Sequence, residues 1–229
     1  MADEPCRGVA IGTAEAAAVR DGRTVQLADG RELRLMGIEA GEDSRALQAL
    51  IDGRPLRLER LGPETDRYGR LTALAYAGDS PQSLQAALLE QGRARVSPRV
   101  GAKSCAALWL AAETRARAAS LGLWADPNFA PLSAEDLPRL TAAAGRFALV
   151  EGKVLSVRES GATIYVNFGR RWTQDFTVTI LKRQQRTFSA AGLEPKRLEG
   201  RRVRVRGWIE RRGGPLIAAE APEQIETIE

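Results

Sequence analysis

The sequence predicts a mainly β chain with helices, of the α+β class, arranged as two five-stranded barrels in tandem. Three observations carry that prediction. Short stretches alternate apolar and polar side chains at period two, the mark of half-buried strands. A few segments instead place apolar residues at helical spacing and end on glycine. Between the halves lies a stretch punctuated by Pro127, Pro131 and Pro138, which breaks any long regular element.

Length and composition narrow the chemistry. At 229 residues, 44% apolar and 28% charged, the chain has room for two ordinary domains and the composition of a soluble globular protein. No run approaches the ~18 apolar residues of a membrane-spanning helix, so no membrane partner is expected. Histidine is absent, which excludes histidine-based proton transfer, serine-histidine triads and histidine-ligated zinc. Catalysis would have to use carboxylates, arginines, hydroxyls or a metal held by oxygen. Residues 145–229 carry 16 lysines and arginines against 10 acids, while residues 1–144 are nearly balanced at 18 against 19. A basic, arginine-dominated second half suits bidentate phosphate contacts, or is simply a solvated surface.

Cys6 and Cys105 are too far apart in sequence for a CxxC motif or a zinc cluster. They either form one disulfide or remain two buried thiols. A bond would close a loop of nearly a hundred residues, stabilise by roughly 2–4 kcal/mol and imply an oxidising compartment. The start ADEPC, after the first methionine, reads like a mature terminus left by signal-peptide removal. A periplasmic or secreted location follows if that is so, and a cytoplasmic one otherwise.

Taken in order, residues 1–18 lead into the first strand and offer no site. Strands are expected near 15–27 and 31–38, turning at Asp29-Gly30. Period two there sets Arg34 opposite Leu33 and Leu35. In EDSRALQALIDG, Leu47, Leu50 and Ile51 share a helical face and Gly53 stops it. RPLRLERL and YGRLTALAYA read as strands. A helix begins at the Ser-Pro signal of SPQSLQAALLEQG and ends at Gly92, and a longer one over KSCAALWLAAETRARAASLGLW is capped by Gly122, with Leu108 and Ala112 in the core. The first domain then spans 1–125, residues 126–145 are the linker, and 146–229 form the second domain.

That second domain reads as strands over FALVEGKVLSVRES, ATIYVNFG and QDFTVTIL, a helix through RQQRTFSAAG, then RRVRVRGWIERR and PLIAAEAPEQIE, an OB-like order. Val203, Val205 and Ile209 alternate with Arg202, Arg204, Arg206 and Trp208. Tyr165, Arg170, Arg171 and Trp172 could extend that cationic, aromatic face. Such a surface binds single-stranded DNA or RNA by stacking and charge, or is an ordinary solvated strand face.

Residues 9–125 resemble the staphylococcal nuclease (thermonuclease-like) family. The resemblance rests on DGRTVQLADGRELRLMGIEAGE, DRYGRLTALAY, LLEQGRARV and AETRARAASLGLW, in the family's order. It implies an OB-like barrel with about three helices, and calcium-dependent hydrolysis of DNA and RNA phosphodiesters. By position, Arg34 and Arg70 match the family's catalytic arginines, and Glu42 its glutamate general base. Asp21 and Glu39 match calcium ligands. The second ligand of the family's DGDT pattern is here Arg23, within DGRT, and the family's proline before the glutamate is Gly41.

Two readings follow. One is a nucleic-acid phosphodiesterase using Arg34, Glu42 and Arg70. The other is a degenerate nuclease fold that binds nucleic acid or protein, with Arg23 pairing Glu39 or Glu42 in the cation's place. On that second reading Arg34 and Arg70 are salt-bridged to Glu39, Glu42 or Asp66, and Glu42 is a helix N-terminal residue.

Overall fold

A computed structural model describes residues 6–101, 103–171 and 173–228, so Trp172 lies outside the described residues. The chain divides into two compact units, Met1–Pro127 and Asn128–Glu229, each with its own apolar core. No helix among the described residues is long and apolar enough to cross a membrane.

The first unit runs β1 (Val9–Ala14), β2 (Ala16–Asp21), β3 (Thr24–Leu27), β4 (Glu32–Leu35), β5 (Ile38–Ala40), α1 (Arg45–Ile51), β6 (Leu56–Arg60), β7 (Leu71–Ala77), α2 (Leu84–Glu90), β8 (Ala94–Val96) and α3 (Lys103–Ala118). Six strands form one sheet in the order β1-β6-β7-β4-β3-β2, and β5 pairs with β8. The β4–β7 pair is parallel, with Arg34 opposite Thr72, and the neighbouring ladders are antiparallel.

Period two holds where one face is covered: Val25, Leu27, Leu33 and Leu35 are all buried. The strand expected over 15–27 is instead two strands, because Asp21 accepts the backbone N–H of Arg23 through Oδ1 at 2.8 Å and turns the chain at Gly22. The tight turn at Gly30 has φ +87°, a conformation glycine supplies without strain. On α1, Leu47 and Ile51 are buried and Leu50 packs partly against the core, as the helical spacing requires. The second helix begins not at the Ser-Pro signal but at the Ser83 N-cap, whose hydroxyl accepts from the Ala86 N–H. The third ends at Ala118, before Gly122, and it turns Leu108 outward while burying Trp109 and Ala112. Cys6 and Cys105 form a disulfide with Cα atoms 4.5 Å apart, tying the segment before β1 to α3.

The second unit comprises β9 (Leu132–Ser133), α4 (Leu137–Ala142), β10 (Phe147–Lys153), β11 (Ser156–Ser160), β12 (Thr163–Asn167), β13 (Thr177–Leu181), α5 (Gln185–Ala190), β14 (Arg202–Trp208), β15 (Glu210–Arg212), β16 (Gly214–Ala219) and β17 (Ile225–Ile228). The sheets run β17-β14-β10-β9 and β11-β12-β13-β16-β15, with β13 and β16 parallel.

The stretch expected to be a linker, 126–145, holds β9 and α4. Strand β9 pairs with β10, and Leu132, Ala134, Leu140 and Ala143 are buried in the second core. Pro138 does not break α4. It sits in the first turn, where no N–H donor is missed, behind an Asp136 N-cap that accepts from the Arg139 N–H.

Candidate functional site

The turn between β2 and β3 is the floor of the candidate site. The Gly22 N–H donates to the Gly41 carbonyl at 3.0 Å, bringing residues 21–23 against the chain that follows β5. A Cβ at position 22 would lie 2.9 Å from the Ala40 Cβ and from the Gly41 oxygen, so the close approach requires glycine. Arg23, Glu39 and the residues around Glu42 are thereby gathered by backbone contacts rather than by side-chain reach.

Arg23 turns inward. Its Nη1 donates to the Ile38 carbonyl at 2.5 Å, and its Nη2 is ion-paired with Oε2 of Glu39. The other Glu39 oxygen accepts from the Ser97 hydroxyl at 3.3 Å. Both side chains are largely buried, at 13% and 11% exposed. Glu39 is thus fully engaged, and one Asp21 oxygen is spent on the Arg23 N–H.

Such a donor set does not fit calcium. A divalent ion needs several oxygen ligands, and here a guanidinium lies on the carboxylate that would supply one. At ~4 Å and an effective dielectric of about 20, that guanidinium would oppose a divalent charge by roughly 8 kcal/mol. Among the described residues, no group of three or more His, Cys, Asp or Glu side chains could hold a metal ion.

Arg34 is placed by β4 beside Thr24 of β3, its cross-strand partner. Its Nη1 donates to the Thr24 hydroxyl at 3.0 Å and lies 4.0 Å from Oδ2 of Asp21. Its side chain is 21% exposed. Desolvation pushes its pKa down from the ordinary arginine value, with the charges of Arg23 and Arg70 adding to the effect. With five donors and one hydrogen bond, Arg34 keeps most of its guanidinium uncommitted.

Arg70 stands at the start of β7, whose parallel pairing with β4 brings it toward the same end of the sheet. Its Nε and Nη2 both donate to Oδ2 of Asp66, at 2.8 and 2.6 Å, and its Nη1 is 3.9 Å from Glu32. Asp66 also accepts the backbone N–H groups of Tyr68 and Arg70. Burial would raise the Asp66 pKa, yet the Arg70 guanidinium and these two N–H donors together hold it below the usual carboxylate value. Asp66 therefore fixes the DRYGR turn and aims Arg70 in one stroke.

Glu42 is exposed, and among the described residues it makes no hydrogen bond or ion pair. It precedes the Ser44 N-cap of α1 by two residues and so stands outside the first helical turn. Asp43 pairs with Arg45 instead, which holds the Asp43 carboxyl at about 2.

Asp66, an acid four residues before Arg70, is one of the partners expected from charge. Thr24 and Ser97 are supporting residues that reading the sequence misses. For Thr24 the available signal was a polar residue directly across a hairpin from Arg34; Ser97 carries none.

In the second unit the expected arginine face does not form. Arg204 lies between its cross-strand neighbours Glu151 and Glu226, with its Nε 2.7 Å from Glu151 and its Nη1 3.5 Å from Glu226. Arg206 is 0% exposed, its Nη2 2.5 Å from Glu226. These arginines bind their own sheet together. Trp208 is 48% exposed and meets Phe147 edge-on at 6.2 Å. Tyr165 lies on β12, in the other sheet of the unit. Arg171 is exposed on the β12–β13 loop, where its backbone N–H donates to Asp175 at 2.7 Å.

Residues 32–126 match the family model described as staphylococcal nuclease homologue. Arg34, Glu39, Glu42 and Arg70 fall within the match, and the Asp21–Arg23 turn lies just before it. No curated protein matches the chain. With Arg34 and Arg70 converging on one end of a sheet that has a parallel β4–β7 pair, residues 32–126 form a staphylococcal nuclease-like domain.

Proposed function

We propose that the nuclease-like domain binds the phosphodiester backbone of single-stranded nucleic acid without hydrolysing it, having exchanged its divalent cation for the Arg23 guanidinium. The observation that carries this reading is the Arg23 side chain bridging Glu39 and the Ile38 carbonyl. Its single charge satisfies Glu39, but it offers no open coordination position on which a water could be activated. Arg34, with most of its donors free, and Arg70, held by Asp66, are the phosphate contacts.

The competing phosphodiesterase reading is favoured by one feature, the exposed and unpartnered Glu42 beside the same turn. The test is cleavage of labelled single-stranded DNA and RNA in calcium, magnesium and manganese, beside a binding titration at several salt concentrations. The binding reading expects no turnover and an affinity that falls steeply with salt as counterions are released. Turnover in any of these ions that Arg34→Ala abolishes would overturn it in favour of the phosphodiesterase.

We further infer that each unit is an OB-like barrel. In the first, β1 and β2 occupy opposite edges of the six-stranded sheet, yet only Glu15 separates them in sequence. Two edges formed by one bent strand are what a closed sheet requires. In the second, only two residues separate β10 and β11, which lie in different sheets, so the chain passes directly from one sheet to the other. The Cys6–Cys105 disulfide supports a periplasmic or secreted location.

A further inference from the structure

The solvent face of the five-stranded sheet in the second unit carries two adjoining cavities, of about 630 and 380 Å³, that share Tyr165. The strand registers explain why they adjoin. Arg158 of β11, Tyr165 of β12 and Thr179 of β13 are consecutive cross-strand partners and project from one face, which continues to Ala218 of β16. Val157, Ile164, Val166, Val178, Ile180 and Ile217 point the other way, toward the core. The trough is therefore floored by small and hydroxyl side chains, with a single aromatic ring at its middle.

Charge is unequally spread along it. The larger cavity is lined by Arg158 and Arg170, neither of which has an ion-pair partner among the described residues. Five other cations of this unit are ion-paired: Arg204 and Arg206 with Glu226, Lys182 and Lys196 with Glu159, Arg212 with Glu210. Glu199 lines the same cavity, but its Oε2 accepts the Val157 N–H at 3.1 Å rather than a guanidinium. Arg170 sits on a loop that is pinned, because Asp175 accepts the Arg171 N–H and its own N–H donates to the Arg171 carbonyl at 2.8 Å. The smaller cavity is bordered by three acids, Asp175, Glu210 and Glu220, and by one cation, Arg212, which is paired with Glu210.

We infer that this trough is a binding site for single-stranded nucleic acid, seating one phosphate between Arg158 and Arg170 and the adjoining base on the Tyr165 ring. Two free guanidiniums beside an aromatic face are the groups a phosphate and a base need. The hydroxyls of Thr163 and Thr179 can meet a base edge or sugar in the smaller cavity. Acids outnumber cations in the smaller cavity, three to Arg212 alone, whereas Arg158 and Arg170 outnumber Glu199 in the larger, so the phosphate is placed in the larger cavity and one nucleotide step is held. A duplex is excluded because its bases are stacked and cannot lie on the ring. The site is independent of the first unit and of whether that unit cleaves anything.

The test is fluorescence anisotropy of fluorescein-labelled oligothymidylate with the full chain, in wild type, Tyr165→Ala, Tyr165→Phe and the double variant Arg158→Gln, Arg170→Gln. In an Arg34→Ala, Arg70→Ala background, which removes the phosphate contacts proposed for the first unit, Tyr165→Ala should weaken binding by roughly fivefold or more, while Tyr165→Phe, which keeps the ring, stays within about twofold. The double arginine variant should lower the slope of log affinity against log salt by up to about 0.7 for each phosphate no longer neutralised. A labelled duplex should bind more weakly than the single strand. Equal affinity across these variants, a salt-independent interaction, or preference for an acidic peptide over the oligonucleotide would overturn the inference. Arg34→Ala, Arg70→Ala distinguishes the two units: probe binding lost entirely in that variant and unchanged in Tyr165→Ala would overturn this site and leave the first-unit reading standing.

Discussion

Replacing Arg23 by aspartate probes the first unit most directly, because it removes the guanidinium from Glu39 and restores a carboxylate beside Asp21. The Arg23–Glu39 pair is mostly desolvated, at 13% and 11% exposed. Breaking a buried pair by removing one partner costs about 3–5 kcal/mol, and here the new side chain carries the same charge as Glu39. With ~1 kcal/mol equivalent to about 4 °C for a unit spanning Met1–Pro127, the metal-free variant should melt on the order of 15 °C below wild type. Calcium then reverses the sign of the local interaction. The ~8 kcal/mol of repulsion expected from a guanidinium at about 4 Å becomes attraction of similar size toward a carboxylate. Saturation at about 100 times the dissociation constant should return ~2.7 kcal/mol of stability. The assay is scanning calorimetry of the full chain in chelator and in calcium, with an isothermal calcium titration alongside. Wild type should give neither heat nor a shift, and Arg23→Asp should give both. A wild type that shifts with calcium as much as the variant, or a folded variant that shows no calcium heat, would refute the assignment of Arg23 to the cation's place.

Three other outcomes are expected. Cys6→Ser or Cys105→Ser should cost about 4 kcal/mol, since the bond spans a sequence separation of 99 residues, and denaturant midpoints with and without reductant will measure it. Arg206→Ala should destabilise the second unit by about 1–3 kcal/mol, because Glu226 loses one partner and keeps Arg204 at 3.5 Å, yet leave oligonucleotide affinity of the folded fraction unchanged, which a paired melt and anisotropy titration will show. Asp43, Asp66, Asp29 and Glu159 all have folded pKa values below their ordinary ones. The stability they contribute is present above about pH 4 and is lost as pH falls through the folded values, so melting temperature should drop on acidification toward about pH 2. Carboxylate NMR should find the Asp43 midpoint at about 2, and Arg45→Ala should raise it only part of the way, because the backbone N–H of residue 45 still donates to the carboxylate.

Much of this was legible in the residues themselves. Period two in ELRL set Arg34 opposite Leu33 and Leu35, and Asp29-Gly30 marked the hairpin, because strand alternation and turn chemistry are local properties. The DGRT departure singled out Arg23, and Glu39, with which it pairs, was one of the two partners that charge alone suggested. Local pattern failed where burial is decided at a distance. Arg204 and Arg206 alternate with valines and read as a cationic face, but Glu151 on β10 and Glu226 on β17 lie opposite Arg204, with Glu226 also in reach of Arg206, only once three strands are in register. Residues 126–145 read as a linker from their prolines, though Leu132 and Leu140 find a core supplied by strands downstream. Arg158 and Tyr165 are seven residues apart with nothing in the sequence to join them; the β11–β12 hairpin makes them neighbours, and the β12–β13 loop then adds Arg170. Sequence alone determined the hairpin at Asp29-Gly30, the alternation that places Arg34, and the helical faces of Leu47 and Ile51. Which charges are spent on neighbours and which stay free is a property of tertiary register, because an ion pair depends on distance in space and not on spacing along the chain.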